Sequence, residues 1–192
     1  RTNEEKYQNH MNKNYKFTMS ASFLKGKFLL MLLFLAGVAN AQLSGSYTID
    51  VASSTSGTNF NSWSDFASAV TSSGVSAAVT VTVKSDVTTS TRSVFGAISG
   101  SSSTNTITID GGSKVLSYSG SNEAISFTGA DYVTIKNATI RNSATAAYAG
   151  LVRFSGASDY NKIDNCVLEF SALVSATTGT YYVAFSNSST SP

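Results

Sequence analysis

The chain has 192 residues and a formal charge of +2, with 42% apolar residues, only 12% charged residues, one cysteine and one histidine. A single cysteine, Cys166, excludes an intrachain disulfide framework. The basic balance is local: from Gln42 onward seven basic side chains face nine acidic ones, a formal charge of −2. No basic stripe survives there to hold nucleic acid.

Residues 1–18 read as a segment upstream of the natural start, since Met19 opens a familiar pattern. Lys25 and Lys27 precede an apolar run from Phe28 to Val38, and Ala39-Asn40-Ala41 supplies a small-x-small cleavage site. Residues 19–41 are therefore expected to be a signal peptide. The run is too short for a membrane span, which needs about 20 residues. The expected destination is extracellular or the outer cell surface, with no membrane span after cleavage.

About a third of the residues from Gln42 onward are Ser or Thr, and Val, Ile, Phe and Tyr recur among them at short intervals. That combination predicts a β-rich fold. Leu43 to Asp50 alternates as a strand and a polar loop follows it. The period then changes: Trp63, Phe66, Ala67 and Val70 lie on one face of a short helix. Ser62 is its N-cap with Asp65 three residues on, and Gly74 is its C′ residue. Residues 42–75 thus form a strand and a capping helix. Ala78 to Lys84 is the next strand, a Ser/Thr-rich loop comes after it, and the repeating part opens at Asn105.

The repeat lies in "AISFTGADYVTIKNATIRN", Ala124 to Asn142, set against "VRFSGASDYNKIDNCVLEF", Val152 to Phe170. Ile125 and Phe127 match Val152 and Phe154, and Ile135 and Ile140 match Ile163 and Leu168. Ile109 lies one period before Ile135; Val183 and Phe185 lie one period after Val152 and Phe154. A drifting period in the twenties, with variation confined to polar loops, marks a solenoid. A β-sandwich would pair residues 124–128 antiparallel with 132–136; a solenoid stacks each strand parallel on its copy. Ile125, Phe127, Val133, Ile135, Ala138 and Ile140 are expected inside, and Ser126, Thr128, Thr134, Lys136 and Thr139 outside. Asp110, Lys136 and Asp164 would alternate in sign up one outer column. Gly111, Asn137 and Asn165 would share a corner that favours a left-handed backbone. The expected fold is all-β, a right-handed parallel β-helix over residues 76–192 with a short N-terminal capping helix.

"TITIDGG", "AISFTGADYVTIKNATI" and "NKIDNCVLEF" resemble coils of right-handed parallel β-helices of the pectate-lyase-like kind. The opening "LSGSYTID…NSWSDFASAV…GVSAAVTVTV" resembles the N-terminal part of large secreted bacterial β-helix proteins. The resemblance implies export by a type IX route and a longer parent protein truncated here at its C-terminal side. It also implies a function, either adhesion, carbohydrate contact or structural display without catalysis, or the N-terminal part of a polysaccharide lyase or glycoside hydrolase. In the second case the catalytic coils would lie beyond residue 192.

No catalytic motif of that family matches residue by residue. Asp131 and Asp159 occupy equivalent turn positions one coil apart, within reach of a calcium ion or of a retaining glycosidase pair. Arg141 and Arg153 are the basic groups in register with them. The same aspartates also suit turns, where a short carboxylate bonds backbone amides. Tyr132 and Tyr160, and beside them Tyr181 and Tyr182, could stack on sugars or pack the rim of the coil. Cys166 aligns with Ala138 and is expected inside, without a nucleophilic role. No cofactor is expected apart from that calcium. The expected partner is an extracellular polysaccharide or a cell-surface component.

Overall fold

A computed structural model describes residues 41–144, 149–171 and 180–186, all within one compact unit, Ala41–Pro192. The segment expected to be a signal peptide lies outside the described residues, apart from Ala41. The described residues hold fourteen strands and one helix. Strands β1 (Leu43–Ile49) and β2 (Asn59–Phe60) precede helix α1 (Trp63–Ser73). Four coils follow, each with one strand in each of three sheets. The first coil is β3 (Val75–Val83), β4 (Val87–Thr89) and β5 (Ser93–Phe95); the second is β6 (Ile107–Asp110), β7 (Val115–Tyr118) and β8 (Glu123–Thr128). The third is β9 (Val133–Lys136), β10 (Thr139–Asn142) and β11 (Gly150–Ser155); the fourth is β12 (Lys162–Asp164), β13 (Val167–Phe170) and β14 (Tyr181–Ser186).

Every pairing between these strands is parallel and joins a strand to its copy one coil away. The chain is a parallel β-helix. The register agrees with the repeat read from the sequence: Phe127 faces Phe154, Ile135 faces Ile163, and Ile140 faces Leu168. The six residues between Ile125 and Ile140 expected to point inward are all buried, at 0–3% exposure.

Alternation explains the burial. In VTVTV of β3, Val79, Val81 and Val83 are buried, while Thr80 and Thr82 point outward. Stacking extends this outer row into a hydroxyl column, Ser46–Thr80–Thr108–Thr134, that ends at Lys162. Inside, an aromatic spine runs the length of the coil. Phe95, Phe127, Phe154 and Phe185 are stacked at 5.4, 4.7 and 5.2 Å. Phe66 meets Phe95 edge-on at 6.2 Å, Phe60 meets Phe66 at 5.3 Å, and Tyr47 closes the series. Each such pair contributes about 0.5–1.5 kcal/mol beyond the area it buries.

Helix α1 forms because its apolar face has something to cover. Trp63, Phe66, Ala67 and Val70 are buried over the first coil, Ser62 accepts from the Asp65 amide at 3.0 Å, and the Gly74 amide returns to the Val70 carbonyl at 2.9 Å. Three expectations need correction. The Ser/Thr-rich stretch after Lys84 is not simply a loop, because β4 and β5 lie in it and complete the first coil. Its Val87 and Phe95 are too sparse to show a period, yet both are buried. Gly111 does not carry the left-handed turn; that passes to Gly112 and Ser113 (φ 54° and 62°). Gly111 is glycine because a Cβ there would lie 2.4 Å from the Ala138 Cβ. Asn137 and Asn165 do take φ of 54° and 48°. The column Asp110–Lys136–Asp164 does alternate in sign as expected; within it Lys136 bridges Asp110 across coils at 3.2 Å, while Asp164 also pairs with Lys162 along its own strand at 3.0 Å. Ser126 is only 3% exposed although the pleat turns it outward.

Candidate functional site

The corner between the third and first sheets gathers the residues singled out from the sequence. Tyr132 and Tyr160 sit one above the other, ring centroids 4.7 Å apart and planes within 8°. Both have a left-handed backbone, φ 60° and 57°. A bulky residue there costs on the order of 1–3 kcal/mol and persists only where its surroundings hold it. The holding groups are hydrogen bonds that cross the coils. The Ile107 amide donates to the Tyr132 carbonyl at 3.0 Å, and the Tyr132 amide to the Asp159 carbonyl at 3.2 Å. Asn161 reaches back one coil, accepting from the Val133 amide at 2.9 Å and donating to the Ala130 carbonyl at 2.7 Å.

Asp131 belongs to the same lattice. Its Oδ1 accepts the Asp159 amide at 2.6 Å, so this turn carboxylate bonds the backbone of the next coil. Among the described residues, no group of three or more His, Cys, Asp or Glu side chains gathers. Calcium takes six to eight oxygens; Asp131 and Asp159 would supply carboxylates, with one Asp131 oxygen shared with an amide. Arg141 and Arg153 lie away from this corner. Arg141 is salt-bridged to Glu169 at 2.6 Å in the second sheet, and Arg153 donates to the Ser186 hydroxyl at 3.1 Å in the third. Cys166 is half-buried, its thiol directed at the carbonyls of Asp164 and Ile135 (3.3 and 3.6 Å), and burial pushes its pKa up.

The tyrosine rings offer an apolar face and edge beside hydrogen-bonding groups. Tyr160 is 75% exposed, with Lys162 two residues on and the carboxylates of Asp131 and Asp159 at the same turn. Such a surface can lie against the C–H face of a sugar and bond its hydroxyls. Next to this corner, Asn137 and Asn165 form a ladder: Asn165 donates to Asn137 at 2.8 Å, and Asn137 donates to Asp110 at 3.1 Å. Asn137, then the Gly112 amide, then Lys136 hold the Asp110 carboxyl below its usual range, against partial burial.

One polar cluster was not legible in the sequence. Glu123, 3% exposed, is salt-bridged to Arg92 at 2.8 Å. Its Oε2 accepts the Tyr181 hydroxyl at 3.0 Å. Tyr181 lies two coils away, and Gly150 stands between them in register. A Cβ on Gly150 would meet the Tyr181 ring at 2.5 Å, so the glycine opens the path. Burial first, then the Glu123 charge, pushes the Tyr181 pKa up to about 12. A glycine matched to a glutamate and a tyrosine in one column is the only trace of the cluster in the sequence. Asn142, fully buried, ties the neighbouring corner through the Gly150 and Asn122 carbonyls at 3.0 and 3.3 Å.

No helix among the described residues is long and apolar enough to cross a membrane. No family model, curated protein or solved structure matches the chain.

Proposed function

We propose that this chain is a secreted or cell-surface β-helix module that contacts carbohydrate without catalysing a reaction on it. The observation that carries this reading is the Tyr132–Tyr160 pair. Two aromatic rings are held in a costly backbone conformation at a rim, with Tyr160 largely exposed. The hydroxyl column of the first sheet adds a neutral, hydrogen-bonding wall that suits a polyhydroxylated ligand. The apolar run Phe28–Val38 and the Ala39-Asn40-Ala41 site support export. The resemblance of the opening segment to large secreted bacterial β-helix proteins, commonly exported by a type IX route, accords with the same destination.

Affinity electrophoresis and calorimetry against neutral and acidic polysaccharides test the reading. Retardation by at least one polymer, weakened about tenfold in Tyr160→Ala, is the expected result, the size given by one lost stacking contact. Retardation by none of them, or retardation unchanged in Tyr132→Ala and Tyr160→Ala, overturns it. The same preparations, assayed for new reducing ends or unsaturated uronides, test the alternative that the chain begins a lyase or hydrolase. Calcium at Asp131 and Asp159 is a separate proposal. Titration of Asp131→Asn beside the parent chain tests it, and equal calcium responses from both would remove it.

A further inference from the structure

The expected cleavage site and the first strand meet at one residue. Cleavage after Ala41 leaves Gln42 as the first residue of the exported chain. Strand β1 begins directly after it, where Leu43 is buried and its amide donates to the Gly74 carbonyl at 2.9 Å. Gln42 itself is exposed and lies outside β1. Among the described residues, no backbone hydrogen bond engages its nitrogen. Its side chain leans over the turn at Gly100, with Nε2 3.6 Å from where a Cβ on that glycine would lie. The new terminus is therefore not paired in the sheet, and the residue after it is anchored. Its amine and its side-chain amide are free to meet.

We propose that Gln42 is a modification site, at which the exported chain closes its own end into pyroglutamate. The inference rests on the export reading, because the α-amine exists only after cleavage. The neutral α-amine attacks Cδ of its own side chain, and a C–N bond forms to close a five-membered lactam. The Cδ–Nε2 bond breaks, a proton passes from the attacking nitrogen to Nε2, and ammonia leaves. Nothing is oxidised or reduced, and no co-reactant is needed. Nucleophile and carbonyl sit on one residue, so the step is unimolecular and gains from proximity. An α-amine titrates near pH 7.7–8.0, so a sizeable fraction is already neutral at about pH 7. The ring removes the charged amine that an aminopeptidase grips. That protection matters at this position, because the strand has no spare residues ahead of it. Leu43 pairs with Val75 and its amide is the first rung against Gly74, so trimming past Gln42 begins to strip β1.

The test is to express the full chain in a bacterial host, recover the exported protein and follow its N-terminal peptide by mass spectrometry. The expected peptide starts at Gln42 and becomes lighter by one ammonia. Its rate of change should rise with pH and level off above about pH 8, once the amine is neutral. Stepwise N-terminal degradation should then be blocked, and an aminopeptidase should leave the chain whole. Gln42→Ala cannot form the ring, so it should keep a free amine and be trimmed. Its circular dichroism before trimming should match the parent, because the side chain is exposed. A start at Gln42 whose amine stays free, even with added glutaminyl cyclase, overturns the proposal and leaves the export site standing. An uncut chain, or a peptide that starts at another residue, overturns the export site and the proposal with it.

Discussion

The first and fourth coils continue the same inner columns and differ in how far they are covered. At the first coil, Phe95 meets Phe66 of α1 and Val81 pairs with Tyr47 of β1, and both are fully buried. At the fourth, Phe185 and Val183 continue the inner columns and are 81% and 38% exposed. Parallel stacking satisfies a strand only when both neighbours are present. Burial in a solenoid is therefore a property of position along the axis more than of residue type. The polar groups follow the same logic. Asp131, Asn137 and Asn161 each bond an adjacent coil, whereas Tyr181 passes over a whole coil to reach Glu123. That bond anchors the least covered coil to the middle of the stack.

The sharpest way to break the comparison is to remove the same ring from both regions. Phe127→Ala should cost about 3–5 kcal/mol in denaturant unfolding, as for a fully packed aromatic. Phe185→Ala should cost less than about 1 kcal/mol, because the ring is mostly in water. Equal losses would mean that the fourth coil is as well packed as the second. Next in size, Gly150→Ala should destabilise by about 1–3 kcal/mol, because its Cβ would displace the Tyr181 ring. Hydrogen exchange should then quicken in β14 and leave β6 unchanged.

Titration sharpens the contrast further. The Tyr181 pKa in the folded state, about 12, lies above its unfolded value near 10. The folded state therefore holds the proton more tightly. Its contribution is complete below pH 10 and is lost as pH rises through 12. Burial raises the Tyr118 pKa as well, so ultraviolet titration should show late-ionising tyrosines, and Tyr181→Phe should remove the component near 12. Asp110 has the opposite sign, since its pKa is lowered. Its contribution is present above the ordinary carboxylate range and lost as pH falls through the lowered value, so Asn137→Ala should reduce that acid dependence. Smallest of all, Ser62→Ala should cost about 1 kcal/mol through the lost helix cap. That change acts at the closed end and should leave exchange in β14 untouched.

Much of this was legible because a solenoid writes its contacts into its period. Phe127, Phe154 and Phe185 stack in space because they recur in sequence, and the inner face of β9 could be read from VTIK alone. The capping helix was legible for a different reason, since Ser62, the Trp63–Val70 face and Gly74 are local signals. Tyr132 and Tyr160 were visible as a matched pair, but their left-handed backbone and ring stacking were not. Those follow from hydrogen bonds between coils that no single repeat contains.

By itself the sequence determined the strand alternation, the register of the columns from Ile109 onward, and the cap. All of these depend on the order of apolar and polar residues along one chain. Only the tertiary structure decided that residues 87–95 complete the first coil, and that Gly111 is small to admit Ala138. It also decided that Arg92 and Tyr181 gather around the buried Glu123 across Gly150. In each case the deciding contact joins residues from different coils whose own neighbours carry no trace of it, so closeness in space, and not periodicity, sets the outcome.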